Sequence, residues 1–166
     1  MRGGRAYAAT LAKDLVWVEV GTVSYAIEVA RVREILKPQS VIELPRRRDF
    51  VLGVAEYRDE VVPVVDLRSL FGLAPRPNGR RTKWVILEAS AGKVAIVVDA
   101  VLDVFSSAEN PQRAVPVLDA SHRERGIKSA YRHGDRLVFL LDANQLAEPA
   151  ADVPRDEPSL LPSESP

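Results

Sequence analysis

The chain has 166 residues, of which 46% are hydrophobic and 28% charged, a composition typical of one globular domain with a sizeable core. Its 23 basic and 23 acidic residues cancel, which excludes a global field that would recruit nucleic acid or an anionic membrane. The lack of cysteine excludes disulfides and thiolate metal sites.

The N-terminal segment, residues 1–14, is small and basic and has no apolar core of the kind that a signal peptide needs. We interpret it as a flexible tail. No apolar run in the rest of the chain approaches the roughly 20 residues that span a bilayer. These features predict a cytoplasmic protein.

Residues 15–147 consist of short apolar runs separated by turn signals. The runs are rich in Val, Ile and Leu and are too short for typical helices, which favours strands. Breaks such as Gly21-Thr22 and Gly134-Asp135 suit hairpins and connecting loops. Regular short strands of this kind predict a mainly β fold, either a barrel or a sandwich. In chain order the runs are LVWVEV, VSYAIEV, VVPVVDL, KWVILEA, KVAIVVD and RLVFLLD.

An internal repeat links the two halves of this region. Residues 51–70 align without a gap on residues 127–146, and the apolar strand positions coincide. The alignment places Asp66 over Asp142. A strand-turn-strand-helix unit is therefore predicted to occur twice.

A second match runs in the same order along the chain. Residues 25–36 align on residues 94–105, again with apolar positions over apolar positions. Together the matches predict two similar β subdomains that share a core. We place the first at residues 15–73 and the second at residues 81–147, joined by a linker at residues 74–80.

The aspartates at the ends of these strands have two interpretations. Asp66 and Asp142 each precede a short stretch of helical character, where a carboxylate can accept a hydrogen bond from a free N–H of the first turn. We predict such N-caps, and expect Asp99 to open a turn in the same way. The alternative, an unrecognised hydrolase, would require all three carboxylates to converge.

No other residues form a recognisable catalytic or ligand site. Motifs for binding phosphate or dinucleotides, and motifs of zinc proteases or serine hydrolases, are absent. His122 and His133 lie in polar segments without partners at metal-ligand spacing, and we interpret them as exposed loop residues. Trp17 and Trp84 are interpreted as core or rim residues. We therefore predict an interaction module without catalytic residues, metal or cofactor.

The C-terminal segment, residues 148–166, contains five of the twelve prolines and several Glu and Ser residues. This composition predicts a disordered tail. A further alternative for the whole chain is a small β-barrel nucleic-acid-binding protein that uses Arg46 to Arg48, Arg80 and Arg81. The neutral net charge and the scarcity of aromatic residues count against it.

The order of these motifs resembles the CheW-like domains of bacterial chemosensory systems. That family has a glycine followed by YAI, then V-x-E-I, a proline, and GVxNLRGxxxPVxDL, and this chain has GTVSYAIEVARVREILKP followed by GVAEYRDEVVPVVDL. The resemblance covers residues 15–146. It implies two tandem, pseudo-repeated, five-stranded SH3-like β-barrels that share a core, with a short helix after the strand-turn-strand unit of each.

The resemblance also implies a function. CheW-like domains are non-enzymatic adaptors that bridge the cytoplasmic tip of a methyl-accepting chemoreceptor to the regulatory domain of the histidine kinase CheA. They meet the membrane only indirectly, through the receptor, and bind no cofactor. We therefore expect a chemosensory adaptor with a receptor and a kinase as partners.

Four residues fall on family positions at or beside the receptor-binding surface, near the groove between the barrels. Arg58 matches the arginine of the signature loop, and Glu34 matches the glutamate of V-x-E-I, with Val32 and Ile35 as apolar neighbours. The alternative for Val32 and Ile35 is a place in the core. The alternative for Arg58 and Glu34 is an ion pair with each other across the barrel.

The signature loop departs from the family pattern. Glu56 stands where the family usually has asparagine, and Asp59 where it has the glycine after the arginine. We include Asp59 in the receptor-binding set, and add Gly53 and Glu56 as further partner-binding candidates. These departures are consistent with a divergent or accessory member that keeps only one partner surface.

Overall fold

The structure, a computed structural model, describes residues 13–45, 50–110, 112–113 and 126–153. These ranges are mainly β, as the sequence predicts. The strands are β1 (Asp14–Val20), β2 (Val23–Glu28), β3 (Val32–Leu36), β4 (Val51–Tyr57), β5 (Glu60–Asp66), β6 (Lys83–Ala89), β7 (Gly92–Val98), β8 (Ala100–Ser106), β9 (Gln112–Arg113), β10 (Ile127–His133) and β11 (Arg136–Leu141). The helices are α1 (Leu67–Leu70), α2 (Ala143–Ala147) and 3-10 turns at Val29–Arg31 and Glu148–Ala150.

The strands form two sheets. Sheet I has the order β8-β1-β2-β11-β10-β9, and sheet II has the order β3-β6-β7-β5-β4. Neighbouring strands pair antiparallel except at two junctions, where β11 runs parallel to β2 and β5 runs parallel to β7. The predicted pair of five-stranded SH3-like units is confirmed, with the two-residue strand β9 added to sheet I.

The assignment of strands to these units differs from the sequence prediction. Residues 15–73 and 81–147 do not each form a separate barrel, because β3 pairs with β6 and β8 pairs with β1. Each sheet therefore combines the first hairpin of one repeat with the later strands of the other. A sequence repeat predicts the succession of strands but not their partners, since pairing depends on contacts far apart in the chain.

The repeated units themselves occur where the alignment predicts them. β4, β5 and α1 form one strand-turn-strand-helix unit in sheet II, and β10, β11 and α2 form the other in sheet I. Exchanging the two repeats converts the strand order of sheet I into that of sheet II, apart from β9. The fold is therefore pseudo-symmetric.

The buried apolar side chains of the described residues form three cores. One lies between the sheets and takes side chains from both, and the other two lie within the individual sheets. In central strands such as β5 and β7, one face packs into the core within the sheet and the other face packs into the core between the sheets. Five of the seven residues of each strand are therefore buried. This double burial explains why these strands read as continuous apolar runs rather than alternating patterns.

The predicted helix caps at Asp66 and Asp142 are present. Asp66 Oδ1 accepts a hydrogen bond from the Arg68 backbone N–H at 3.3 Å, and Asp142 Oδ1 accepts one from Asn144 N–H at 2.9 Å. Each carboxylate thus satisfies a first-turn donor that has no partner inside the helix.

Asp99 has a different role from the predicted turn cap. It lies between β7 and β8, and its Oδ2 accepts hydrogen bonds from Gly21 N–H and from Arg68 Nη1, both at 2.7 Å. Arg76 Nη2 lies 3.3 Å from the same oxygen, and Arg68 Nε donates to the Ala74 carbonyl. We call this group the Asp99 clasp. It joins a turn of sheet I to helix α1 and the linker, which connect β5 and β6 of sheet II.

The described fold also extends beyond residue 147. A 3-10 turn at Glu148–Ala150 follows α2, Ala150 is fully buried, and Val153 packs against the inter-sheet core. The predicted tail boundary is therefore too early, because the small residues of this stretch complete the core. Residues 154–166 lie outside the described ranges, as do residues 1–12 of the predicted N-terminal tail.

The clasp predicts a large effect of one substitution. Asp99→Asn keeps the shape of the side chain but leaves the mostly buried guanidinium of Arg68 without its counter-charge, since only 16% of the Arg68 side chain is exposed. We expect a loss of about 3 kcal/mol in the free energy of unfolding, measured by urea denaturation.

Asp103→Asn is the matched control, because Asp103 is exposed on β8 and its carboxylate accepts, among the described residues, only from the neighbouring Val104 N–H. We expect it to change stability by less than about 0.5 kcal/mol. Equal stabilities of the two variants would show that the clasp contributes nothing.

Candidate functional site

An open cleft of about 340 Å³ lies at the seam of sheet II, where its edge strands β3 and β4 approach each other. Part of this seam is closed by Ile42, which exchanges backbone hydrogen bonds of 2.7 and 2.9 Å with Val54. The cleft occupies the part of the seam that this bridge leaves open. We call it the seam cleft.

The floor of the seam cleft is apolar. Leu36 from β3 and Trp84 and Ile86 from β6 line it, and all three belong to or pack against the inner core of sheet II. The cleft therefore opens onto one sheet and is not the groove between the two sheets that the sequence interpretation suggested.

A β-bulge in β3 decides which side chains reach the cleft. Val32 pairs with Leu87 and Glu34 pairs with Ile86, so the register shifts by one residue between Val32 and Glu34. As a result Glu34 shares the cleft face with Ile86, whereas Val32 packs against the inter-sheet core. Ile35 is 38% exposed beside them.

For Val32 and Ile35 the sequence left two alternatives, a place in the core or a place on the partner surface, and the structure gives a different answer for each. Val32 is a half-buried core residue that anchors β3. Ile35 is not a core residue, and its exposed side chain is available to a partner.

Glu34, Tyr57 and Arg58 form a cluster on the rim of the seam cleft. Glu34 Oε1 accepts hydrogen bonds from the Tyr57 hydroxyl at 2.8 Å and from Arg58 Nη2 and Nε at 2.9 and 3.1 Å. The Arg58 guanidinium also lies 5.6 Å from the centre of the Tyr57 ring, within the range of a cation–π contact. The alternative in which Arg58 and Glu34 pair across the barrel is therefore realised.

The same cluster remains accessible to solvent. Side-chain exposure is 70% for Arg58 and 36% for Glu34. Ion pairs this exposed typically contribute between 0 and about 1 kcal/mol to stability. The cluster positions charge at the cleft more than it stabilises the fold.

The turn that carries Arg58 has an unusual backbone. Arg58 and Asp59 have φ values of 47° and 66°, which give the left-handed turn geometry that best matches strand twist in two-residue hairpins. Residues other than glycine adopt this region at a cost of about 1 kcal/mol or more. In the equivalent turn of sheet I the first of the two positions is Gly134, with φ 62°.

Two further residues of the predicted site have distinct roles. Gly53 has a φ of 146°, and a Cβ there would overlap the carbonyl of Ile42, so glycine is required for the backbone bridge at the seam. Glu56 is exposed on the cleft rim, and its carboxylate forms no hydrogen bond or ion pair with any described residue. Gly53 thus supports the cleft, whereas Glu56 faces solvent at its mouth.

The rim cluster shifts the acidities of its members. The hydrogen bond from Tyr57, followed by that from Arg58, lowers the pKa of Glu34 below its usual 4.5. Partial burial and the bond to Glu34 raise the pKa of the Tyr57 hydroxyl. Glu34 is therefore ionised and Tyr57 neutral near pH 7.

The equivalent seam of sheet I is filled. The repeat places Tyr57 over His133 and Leu36 over Phe105. The His133 ring stacks on Phe105 at 4.4 Å and meets Trp17 edge-on at 5.2 Å. The interpretation of His133 as an exposed loop residue is wrong, because it is the half-buried last residue of β10.

A hydrogen bond holds this imidazole in place. His133 Nδ1 and Asn110 Oδ1 are 2.7 Å apart, and Asn110 is itself buried. Tyr57 instead points its hydroxyl outward to Glu34, which leaves the seam of sheet II open. His122 lies outside the described ranges.

The catalytic alternative has no structural basis. Asp66 and Asp142 cap different helices and Asp99 lies in the clasp, so these carboxylates do not converge. Within the described ranges no group of three or more His, Asp or Glu residues is arranged to hold a metal ion. No helix in these ranges has the length and the apolar character that a membrane span requires.

The nucleic-acid alternative gains no support either. Arg46 to Arg48 lie outside the described residues, and Arg80 and Arg81 lie in an exposed connection before β6. No base-stacking surface accompanies them in that connection.

Comparisons with known proteins agree on one family. A family model described as a CheW-like domain matches residues 14–150. The protein named chemotaxis protein CheW from Klebsiella aerogenes is 27% identical over 137 residues, which cover 82% of each chain. Chemotaxis protein CheW from Bacillus subtilis is 27% identical over 124 residues, covering 75% of this chain and 80% of the relative.

A solved structure supports the same fold. The scaffolding protein TtCheW from Thermoanaerobacter tengcongensis superposes with a TM-score of 0.75 and 23% sequence identity. The match covers 83% of this chain and 94% of the other.

The rim cluster predicts a measurable change in acidity. Tyr57→Phe removes the largest cause of the lowered pKa, so the pKa of Glu34 should rise towards 4.5, as followed by carboxyl 13C NMR during a pH titration. In the unaltered chain the stabilising contribution of ionised Glu34 is present above pH 4.5 and is lost as pH falls through the lowered pKa.

Tyr131→Phe is the matched control, because Tyr131 lies in the core of sheet I and forms no bond to Glu34. We expect the Glu34 titration to remain unchanged in this variant. An unaltered pKa of Glu34 in Tyr57→Phe would contradict the assigned hydrogen bond.

Proposed function

The chain belongs to the CheW-like domain family, and we propose that it works in the cytoplasm as a scaffold between chemoreceptors and a CheA-type histidine kinase. It is a chemosensory adaptor and not an enzyme. Its contact with the membrane is indirect, through the receptors.

We propose that the receptor tip binds at the seam cleft of sheet II. The observation that carries this assignment is the Glu34–Tyr57–Arg58 cluster, which holds exposed charge on the rim of an apolar cleft. An apolar side chain of a receptor helix would enter the cleft, while fixed charges at its rim would set the register. Asp59 extends this surface along the turn, and Ile35, on the other face of β3, adds an exposed apolar group next to it.

The rim cluster prepares Arg58 for such a contact. Nε and Nη2 are occupied by Glu34, and the hydrogens of Nη1 remain for a partner. Because the guanidinium is already held over the Tyr57 ring, binding would order few additional torsions. The strained turn has a rationale in this role, since it projects Arg58 over the rim.

Val32 and Gly53 support the surface without contacting the receptor. Val32 anchors β3 in the inter-sheet core, and Gly53 permits the bridge that narrows the seam. An adaptor must hold both partners at once. We therefore propose that the regulatory domain of the kinase binds outside the seam cleft.

This assignment predicts that Arg58→Glu weakens receptor binding by about 2 kcal/mol or more, a factor of about 30. The substitution places a carboxylate beside Glu34 and removes the only cation of the rim that the structure describes. The melting temperature should fall little, because the lost ion pair is exposed. Binding is measured by calorimetry with a soluble receptor-tip fragment, and stability by thermal denaturation.

Arg132→Glu is the matched control. Arg132 is an exposed hairpin residue of sheet I, and the one described group to which its guanidinium donates is the Asp135 carbonyl, at 3.2 Å. We expect it to bind the receptor fragment as tightly as the unaltered chain. Unchanged binding of Arg58→Glu would refute the assigned surface, and unfolding of that variant would show that Arg58 is structural.

A further inference from the structure

We propose that Glu56 makes the seam cleft selective for a receptor segment that carries a basic side chain beside its apolar anchor. This proposal rests on the receptor assignment above and specifies what the receptor presents there. Glu56 is then a specificity-determining residue of the adaptor.

Glu56 differs from the acidic residues around it in having no cation. Glu34, Glu60 and Glu88 on the neighbouring strands of sheet II each form an ion pair of 2.9 Å. Their partners are Arg58, Lys93 and Arg33, respectively. The carboxylate of Glu56 is exposed at the cleft and has no such partner among the described residues.

Arg58, the cation among the described residues that line the cleft, is already engaged by other groups. Arg58 directs two of its nitrogens to Glu34 and lies over the Tyr57 ring. The rim therefore carries two carboxylates and one guanidinium, which leaves a net charge of −1 above an apolar floor. A complementary surface combines an apolar group with a positive charge.

The dimensions and the positions of these groups indicate the occupant. A cleft of about 340 Å³ is at the small end of protein pockets and suits an inserted side chain better than a large ligand. An apolar residue on a helix can fill it over Trp84 and Ile86. A Lys or Arg one turn away, three or four positions along that helix, would then lie on the same face and reach the rim.

Arg58 favours one orientation of such a helix. A basic side chain placed beside the guanidinium would be repelled, whereas one placed beside Glu56 would be attracted. The two rim residues thus specify the direction in which the helix lies across the cleft, and Glu56 supplies the attractive part.

The test compares Glu56→Gln and Glu56→Lys in the full chain, with a soluble chemoreceptor-tip fragment from the same cell as the probe. Affinity is measured by calorimetry at about 50 mM and about 500 mM NaCl, since salt screens exposed charges. At low salt we expect binding to weaken by about fivefold for Glu56→Gln and by tenfold or more for Glu56→Lys. The affinities should converge at high salt.

Asp135→Lys is the matched control, because Asp135 is an exposed acidic residue in the equivalent hairpin of sheet I. It should bind like the unaltered chain at both salt concentrations. A second arm changes each Lys or Arg of the receptor fragment to Glu, and Glu56→Lys should restore binding to one of these altered fragments.

The outcomes separate this proposal from the receptor assignment. If Arg58→Glu abolishes binding but both Glu56 variants bind like the unaltered chain, the selectivity proposal is wrong and the receptor surface stands. If neither Arg58 nor Glu56 variants affect binding, both are wrong. Glu56→Gln retains the size of the side chain, so its binding can be interpreted even if Glu56→Lys fails to fold.

Discussion

Burial of both faces of each sheet is the constraint on which the rest of this structure depends. A single sheet of five or six short strands can bury one of its faces by curling on itself, but not the other face as well. Here that other face of each sheet is covered by the neighbouring sheet. Each sheet combines the first hairpin of one repeat with the later strands of the other, so neither repeat can complete a sheet by itself. The Asp99 clasp adds a polar connection at one end of the same junction.

The seam cleft follows from how each sheet closes at its edges. In sheet I, His133 and Phe105 fill the space between the edge strands with stacked rings. In sheet II the equivalent positions are Tyr57 and Leu36, and the tyrosine turns its hydroxyl to Glu34. One pseudo-symmetric scaffold thus has a closed seam and an open seam. The difference between two side chains thus accompanies an open cleft in one sheet and stacked rings in the other.

Features set by local chemistry were predictable from the sequence, and features set by distant contacts were not. The strands, the repeated unit and the caps at Asp66 and Asp142 depend on neighbouring residues, and the structure contains them. The exchange of strands and the clasp at Asp99 depend on residues far apart in the chain. The sequence around His133 does not indicate that its ring is packed, because the neighbouring residues are polar and the rings that contact it come from other strands. The family resemblance identified Glu34 and Arg58, but only the bulge in β3 shows which face each residue occupies.

The exchanged strands also constrain how such a fold could have originated. A chain with a single repeat would contain the hairpin β1–β2 and the strands β3 to β5, and its hairpin and β3 would lack the strands that they pair with here. Two identical copies of that chain could complete both sheets by trading their third, fourth and fifth strands. A domain-swapped homodimer is therefore the simplest ancestor, and gene fusion would have joined its subunits through the segment at residues 74–80. Once the halves were fused, their sequences could diverge independently, and the two seams now differ in the side chains that they contain.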